Sequence, residues 1–524
     1  MQVVDDGFHK VASSSIIPIR GDLKISFTKK IDPNKNWFTL DKSTLNGSDL
    51  LSSNRTKQFN NFDAYEFVEL KKRVIKAEIS RSIEFPNNIQ SAILDIELNN
   101  YDGYLNYDKD ATLPAINSYV LPNRFILFFL GFKSQQKIQM FAGTTNKMPS
   151  YSDDTLQMKW TSYDFLRNIG DQKIKKTVML RDVRTDEVIK IILEQFDLGP
   201  SQYKLQKGKN IIPFVLLRKD NKVDEYLRKL VQAENGTLYQ DEQGIINFIA
   251  KSDVIGKQPV MLFGKRNIVS IKSDFDNSII NSVQIKAELS KIENGQSIFT
   301  LENDNGYKEA SNKDAYRVKP KSTLEFWVDF NRIAWSVIPL VFNGTMNNSW
   351  FTCLNHEGRR CTRGVNASMD VFPESAKIKI INDRDDFVSV NKLELRGKAI
   401  RKDEIEYTAV DQDSIDRFGA SSLEVSDNNF FGSLKSCEEF VKGVIHNYSE
   451  YSTIIEMNVI GDPSLQLNDI ITVDYKYPGT YIITSLSFSW STGLLETVIK
   501  ARKCEVLSPF VLNKSKLNSP DRLS

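Results

Sequence analysis

Through most of this chain apolar and polar residues alternate with a period of two, the mark of strands with one buried face. Leu23 to Thr28 alternates, Trp37-Phe38-Thr39-Leu40 precedes a polar stretch from Asp41 to Ser53, and Ala92, Leu94, Ile96 and Leu98 oppose Ile93, Asp95, Glu97 and Asn99. That strand closes in Asn99-Asn100-Tyr101-Asp102-Gly103, with Asp-Gly at a turn. Arg124 to Phe132, Ile138 to Gly143 and Leu156 to Tyr163 follow, predicting a mainly antiparallel barrel or sandwich over about residues 16–172. Near residue 183 the period becomes helical. Val188, Ile189, Ile192, Leu193 and Phe196 sit behind Thr185 as N-cap, and Gly199-Pro200 stops the helix. Val223, Tyr226, Leu227, Leu230 and Val231 mark a second helix ending at Asn235-Gly236, before a hairpin around Asp241–Gly244. These make an α+β module over about 174–262.

Strands resume at Val269–Lys272 and Val283–Lys286. Residues 288–316 are polar and turn-rich and read as a loop boundary. Leu324–Phe330, Trp335–Phe342, Ala376–Ile381 and Leu393–Ala399 predict a β domain inserted over 317–400. A third helix is expected near Ser436 to Tyr448, with capping-box spacing in Ser436-Cys437-Glu438-Glu439 and an apolar face of Cys437, Phe440, Val441, Val444, Ile445 and Tyr448. The chain then returns to strands at Ile470–Tyr475, at Ile482–Trp490 and at Leu494–Ala501. In the middle one Ile482, Thr484, Leu486, Phe488 and Trp490 are expected on one face, with Ile483, Ser485, Ser487 and Ser489 on the other. The predicted class is multidomain and mainly β, with a small α+β module and an inserted β-sandwich-like domain. Its parts are 1–172, 173–264, 265–316 with 401–503, 317–400, and a tail at 504–524.

Composition narrows the function. At 524 residues, with 40% apolar and 26% charged, the chain is expected to hold several soluble domains. Lys plus Arg is 69 against 67 Asp plus Glu, so the basic excess of a dedicated duplex-DNA binder is missing. The longest apolar run, Phe125–Phe132, is far short of the ~20 residues of a membrane span. MQVVDDGFHK lacks the basic start and apolar core of a secretory signal, and four cysteines make no disulfide framework. Reduced thiols in a cytosol are expected.

Candidate chemistry is sparse. Histidine occurs only as His9, His356 and His446, and no Gly-rich phosphate loop, HExxH or G-x-S-x-G is present. His446 is expected on the polar flank of the third helix, out of reach of Cys437. Cys353, His356 and Cys361 could supply three zinc ligands. A fourth is not obvious and Arg359, Arg360 and Arg363 oppose a dication, so a turn in a β domain is the preferred reading. Glu302–Gly306 and Asp383–Asp386 could hold calcium, with solvated turns preferred. Trp327, Trp335 and Trp350 could form a sugar-stacking platform; Trp327 and Trp335 lie in apolar strands, which favours core packing. Phe128, Phe129, Tyr475 and Tyr477 are candidates for core or interface. No catalytic, cofactor or metal site is predicted, and no enzymatic activity.

The order of modules resembles the hub proteins of phage tail tips and baseplates, with the spike hubs of type VI secretion as wider relatives. Ile96–Tyr104 looks like the strand-and-turn signature of their first domain. Leu230–Gly244 with Ile246–Phe248 is similar to the helix-to-hairpin segment of their second. Val459–Asp469 through Tyr481–Leu486 resembles their closing run. The resemblance implies two tube-like antiparallel β-barrel domains per chain and a homotrimer presenting six such units, so that a six-fold tail tube joins a three-fold tip around a channel that passes genomic DNA. It implies as partners the tail tube or a distal tail protein on one side, tip, spike or fibre proteins on the other, and a tape measure protein. It places the chain in the virion, and in the host cytoplasm during assembly. Some long tail-tip proteins carry a C-terminal peptidoglycan hydrolase, for which no room is expected before Ser524. The rival readings are a receptor- or glycan-binding tail protein and a tail-associated cell-wall hydrolase.

Overall fold

A computed structural model describes residues 19–29, 65–70, 73–83, 89–105, 122–132, 137–152, 154–250, 258–275, 279–302, 316–339, 341–342, 345–346, 350–361, 363–450, 453–491 and 493–504. The expected strand at Trp37–Leu40, the polar stretch after it, His9 and nearly all of the tail lie outside these. The fold is multidomain and mainly β, with multiple antiparallel sheets. It divides into two compact units, Met1–Ile285 with Glu406–Ser524, and Lys286–Ile405.

Among the described residues of the first unit's N-terminal segment there are eight strands: β1 (Ile19–Lys29), β2 (Tyr65–Glu69), β3 (Val74–Ser82), β4 (Ala92–Asn99), β5 (Phe125–Phe132), β6 (Ile138–Thr145), β7 (Ser150–Ser152) and β8 (Gln157–Tyr163). Helix α1 (Phe165–Gly170), unforeseen from periodicity because it is so short, follows β8 behind Asp164 as N-cap. The α+β module contains β9 (Val178–Arg184), α2 (Thr185–Glu194), β10 (Tyr203–Leu205), β11 (Ile211–Leu217), α3 (Val223–Glu234), β12 (Thr237–Gln240) and β13 (Ile246–Ile249). Val188, Ile189, Ile192 and Leu193 of α2 and Leu227, Leu230 and Val231 of α3 are buried where the two helices pack together. Thr185 is not the cap of α2 but its first helical residue. Arg184 caps it, and the Glu187 carboxylate accepts the Arg184 N–H at 2.9 Å. Asn235, left-handed at φ 51°, ends α3, and Gly236 N–H donates back to Val231 O at 3.0 Å.

Strands β14 (Met261–Gly264) and β15 (Ile268–Phe275) follow, then β16 (Ser282–Glu302), which leaves the first unit at Ile285. Over 288–302 the expected loop is therefore strand. The second unit contains the rest of β16 with β17 (Arg317–Val318), β18 (Ser322–Asp329), β19 (Ala334–Val337), β20 (Val341–Phe342), β21 (Thr345–Met346), β22 (Phe351–Leu354), β23 (Val365–Val371), β24 (Ser375–Asn382) and most of β25 (Val388–Val410). Strands β17, β19 and β22 pair with β25, and β18, β24 and β23 form a second sheet. Val318, Phe351, Val390 and Leu393 of the first share a core with Val328, Ala367, Ile378 and Ile380 of the second, which makes the unit a sandwich.

Back in the first unit come α4 (Gln412–Phe418), β26 (Ser422–Val425), α5 (Leu434–Tyr448), β27 (Thr453–Ile460), β28 (Ile470–Asp474), β29 (Gly479–Ser491) and β30 (Leu494–Lys503). Helix α5 starts earlier than its spacing suggested. Ser433 is its cap, accepting the Ser436 N–H at 3.2 Å, and Cys437, Phe440, Val441 and Val444 form its buried face.

Candidate functional site

Among the described residues, strands from the two ends of the chain belong to one sheet of fourteen strands, eleven of them along the path β15-β27-β30-β29-β3-β4-β8-β6-β5-β1-β2, with β14, β28 and β7 off it. The join is β29 against β3, antiparallel from Ser485 opposite Ser82 to Ser491 opposite Lys76. The first residues of β29, Gly479 to Ile482, pair instead with β28. Between these two partners the register against β30 slips at Thr484, so that Ile483 faces Ala501 and Ser485 faces Lys500. This β-bulge reverses the side-chain phase. Tyr481 and Ile483 are buried before it, and Leu486, Phe488 and Trp490 after it. Ile482 and Thr484 thus do not share the buried face, contrary to the simple alternation. The extra residue still contributes to the seam, because Thr484 O accepts the Ile83 N–H at 3.0 Å.

Both sides of the join drain into a single hydrophobic core. Leu23, Ile79, Leu94 and Phe128 of the N-terminal strands lie in it with Met457, Ile471, Phe488, Trp490 and Ile499 of the C-terminal ones. The rings of Phe128 and Trp490 stand 6.4 Å apart at 60°. Phe128 is therefore core, Phe129 and Tyr475 are half-buried, and Tyr477 is exposed.

A polar node locks the α+β module onto this seam. Asp241 shapes the hairpin tip by accepting the N–H groups of Gln243 (3.1 Å) and Ile245 (2.9 Å) and the Asn247 amide (3.1 Å). The tip thrusts Glu242 inward, where it is 3% exposed. One carboxylate oxygen takes the guanidinium of Arg81, itself 4% exposed on β3, and the other takes the side-chain amide of Gln466. Glu242 O accepts the Gln139 amide at 2.8 Å, and Arg81 also donates to Met140 O. Burial lowers Arg81 to about 10, which still leaves it charged at neutral pH. Beside this node Gln240 donates to Ala142 O at 2.8 Å and accepts the Phe165 N–H at 2.7 Å. Asp164, fully buried, accepts the N–H groups of Ala92 (2.5 Å) and Arg167 (2.8 Å), and burial pushes its carboxyl up to about 6.

The turn Asn99–Gly103 is clamped separately. Arg73 grips Asp102 with two hydrogen bonds of 2.8 and 2.7 Å and stacks 4.4 Å from the Tyr104 ring centroid. Asp102 falls to about 2 through the Arg73 hydrogen bond. Asn100, nearly buried, accepts the Leu105 N–H at 2.8 Å, leaving Tyr101 70% exposed at the tip.

The side chains singled out for chemistry lie elsewhere. In the second unit Cys353 and Cys361 are both buried, but His356 turns outward and its Nδ1 lies 3.2 Å from Asp386. Among the described residues no three His, Cys, Asp or Glu side chains converge as a metal-holding group. Arg384 holds both oxygens of Asp386 (2.7 and 3.2 Å), Lys321 pairs with Asp385 at 3.2 Å, and residues 303–306 of the other acidic loop lie outside the described residues. Trp327 is not core: it is 58% exposed, with its ring 5.4 Å from Phe372, while Trp335 and Trp350 are half-buried. The three tryptophans are thus not equally presented. Glu293 lines a shallow depression with Arg332, Ile400 and Arg401, and both arginines bond its carboxylate at 3.1 Å. In the first unit His446 is exposed and Cys437 buried, on different sides of α5.

Sequence reasoning missed Arg81, Asp164, Gln240, Glu242 and Gln466. The one signal was placement: Gln240 and Glu242 sit inside the helix-to-hairpin segment, and Gln466 inside the closing run, that carried the resemblance.

Neither a protein-family model nor a curated protein matches the sequence. Solved structures similar to it include a 43 kDa tail protein of prophage MuSo2 from Shewanella oneidensis, with TM-score 0.44 and 12% identity over 83% of this chain and 95% of the other. A tail protein from Neisseria meningitidis gives 0.46 and 8% over 84% and 94%. A type VI secretion component from E. coli gives 0.35 and 10% over 83% and 74%.

Proposed function

We propose that this chain is a non-enzymatic structural hub of a phage tail tip or baseplate, assembling as a ring of three that joins a six-fold tail tube to a three-fold tip and lines the DNA channel. The observation that carries this reading is the β3–β29 seam. A symmetry adaptor needs two β units per chain held in one fixed relation, and a continuous sheet with a common core supplies that. The domain division expected from the sequence belongs to the same proposal: tube-like β domains at 1–172 and at 265–316 with 401–503, the α+β module at 173–264 as the brace between them, and an insertion at 317–400. Its partners are the tail tube or a distal tail protein above, tip, spike or fibre proteins below, and the tape measure protein. Its place is the virion, after assembly in the host cytoplasm. The near-neutral net charge of +2 suits a wall that lets DNA pass without holding it. A hydrolase would need carboxylates free to exchange protons, whereas Glu293 is committed to two arginines.

Light scattering across a range of concentrations, followed by imaging, tests the ring. A particle of three times 59.9 kDa with a central hole is the expected result. Monomers that stay single at every concentration, and also when mixed with tail tubes, would overturn it.

A second reading, glycan or receptor binding by the second unit, draws support from exposed Trp327 beside Phe372. Quenching of tryptophan fluorescence by host cell-wall glycans, lost in Trp327→Ala, would favour it.

A further inference from the structure

Cys353 and Cys361 close a hairpin whose geometry is set by its tip. Asn355 opens the turn, with Gly358 N–H donating to Asn355 O at 3.0 Å, and Gly358 sits at φ 77°, the left-handed position that closes a three-residue hairpin loop. Asn355 N–H then meets Arg359 O at 2.9 Å, Leu354 bridges Arg360, and Cys361 N–H donates to Cys353 O at 2.8 Å. The two cysteines are therefore directly opposite each other, at a hydrogen-bonded position of an antiparallel pair. Cα atoms at such a position stand about 5.5 Å apart, inside the range of about 4.4–6.8 Å that a disulfide spans. Opposite residues project to the same face, and here both enter the same apolar core, Cys353 at 0% and Cys361 at 8% exposure. On the other face Arg360 is exposed.

We propose that Cys353 and Cys361 form a reversible intrachain disulfide, a redox staple across this hairpin, when the protein meets a low-molecular-weight disulfide such as oxidised glutathione. Cys361 reacts first. It is the more exposed of the two; burial raises its thiol, with Arg384 opposing that push and Asp386 adding to it, whereas Cys353 is buried outright and its thiol is pushed well up. The Cys361 thiolate attacks one glutathione sulfur, forming a mixed disulfide and releasing one glutathione thiolate. Cys353 loses its proton to that thiolate or to water and attacks the Cys361 sulfur, and the second glutathione leaves as a thiolate. One S–S bond is made in the protein and one is broken in glutathione. The two electrons and two protons end on two glutathione thiols.

The test uses the full chain, folded, in glutathione buffers of rising oxidised-to-reduced ratio, with acid quench, alkylation of free thiols and tryptic mass mapping. Arg359 and Arg360 lie between the cysteines, so trypsin separates them unless a disulfide holds the two peptides together. The expected result is a cross-linked pair that replaces both alkylated peptides and reverts in reduced glutathione, with Cys437 and Cys504 still alkylated. In Cys353→Ser the Cys361–glutathione mixed disulfide should accumulate. The proposal is overturned if both cysteines stay alkylated at every ratio, if Cys361 of the wild-type chain stops at the mixed disulfide, or if the cross-link forms only in urea. The wild-type readout decides even where the variant does not fold.

Discussion

Arg81 and Glu242, 161 residues apart in sequence, form an ion pair in which both partners are almost wholly removed from water. Neither charge tolerates that environment alone, so the N-terminal strands and the hairpin of the α+β module are each incomplete without the other. Gln466, 224 residues from Glu242, extends the dependence to the C-terminal strands.

Glu242→Ala should lower stability by about 3–5 kcal/mol, because it strands the Arg81 guanidinium in the core. Replacing both, Arg81→Met with Glu242→Leu, should recover most of that loss, since no buried charge remains. Urea unfolding of the two variants against wild type measures both; equal losses would show that packing rather than charge dominates the node.

Stability should depend on acid in two windows of opposite sign. Asp164 holds its proton more tightly folded, at about 6, than the ~3.9 of an unfolded aspartate. Its contribution is full below pH ~4 and is lost as pH rises to about 6, by roughly 2–3 kcal/mol. Asp102 sits at about 2, so its contribution is present above pH ~4 and is lost as pH falls toward 2. Denaturant midpoints from pH 2 to 7 should therefore rise and then decline. Asp164→Asn should remove the decline, and Arg73→Ala should weaken the low-pH rise.

Deleting Ser487, which lies in the regular part of β29, should abolish folding. That loss turns Phe488 and Trp490 to the face opposite Leu486, out of the core the three share. Thr484→Ala keeps the residue count and loses only a 3.2 Å hydroxyl bond to Lys500 O, so it should cost no more than about 1 kcal/mol. Soluble yield and far-ultraviolet circular dichroism separate the two.

Gly432→Ala should destabilise by about 1–3 kcal/mol. A Cβ there would come 1.8 Å from Ile211 O, where Asn210 ties the α+β module to the same loop through Phe430 O and Gly432 N. Gly264→Ala, with nothing within 4 Å, should stay within about 0.5 kcal/mol. Thermal melts of the pair check the contrast.

What could be read from the sequence was whatever one buried face imposes. The strand Ala92–Asn99 has such a face, and its bounds match the periodicity residue for residue. Over 288–300, the part of this stretch whose side chains are described, β16 buries only Ile298, so no period of two is imposed and its Asn and Gly imitate a loop. Trp327 misled for the opposite reason: Leu324, Phe326 and Val328 face inward, and a tryptophan among them reads as apolar although its parity turns it out. The bulge at Thr484 is a one-residue change of phase inside an unbroken pattern, and Ser and Thr fit either face. The Arg81–Glu242–Gln466 node was beyond reach, since each residue alone reads as a surface polar group and only the folded topology brings them together. The cysteine pair was legible as spacing but not as chemistry, because the turn between them decides whether they oppose each other.

The β3–β29 seam also has a mechanical meaning. Its hydrogen bonds lie across the strand direction, so tension drawn along these strands loads the pairs from Ser485 to Ser491 together, in shear, instead of peeling them one by one. A pull applied along the strands at one end of this sheet would therefore pass through the join without opening it. A force directed across the strands would find the same join far weaker.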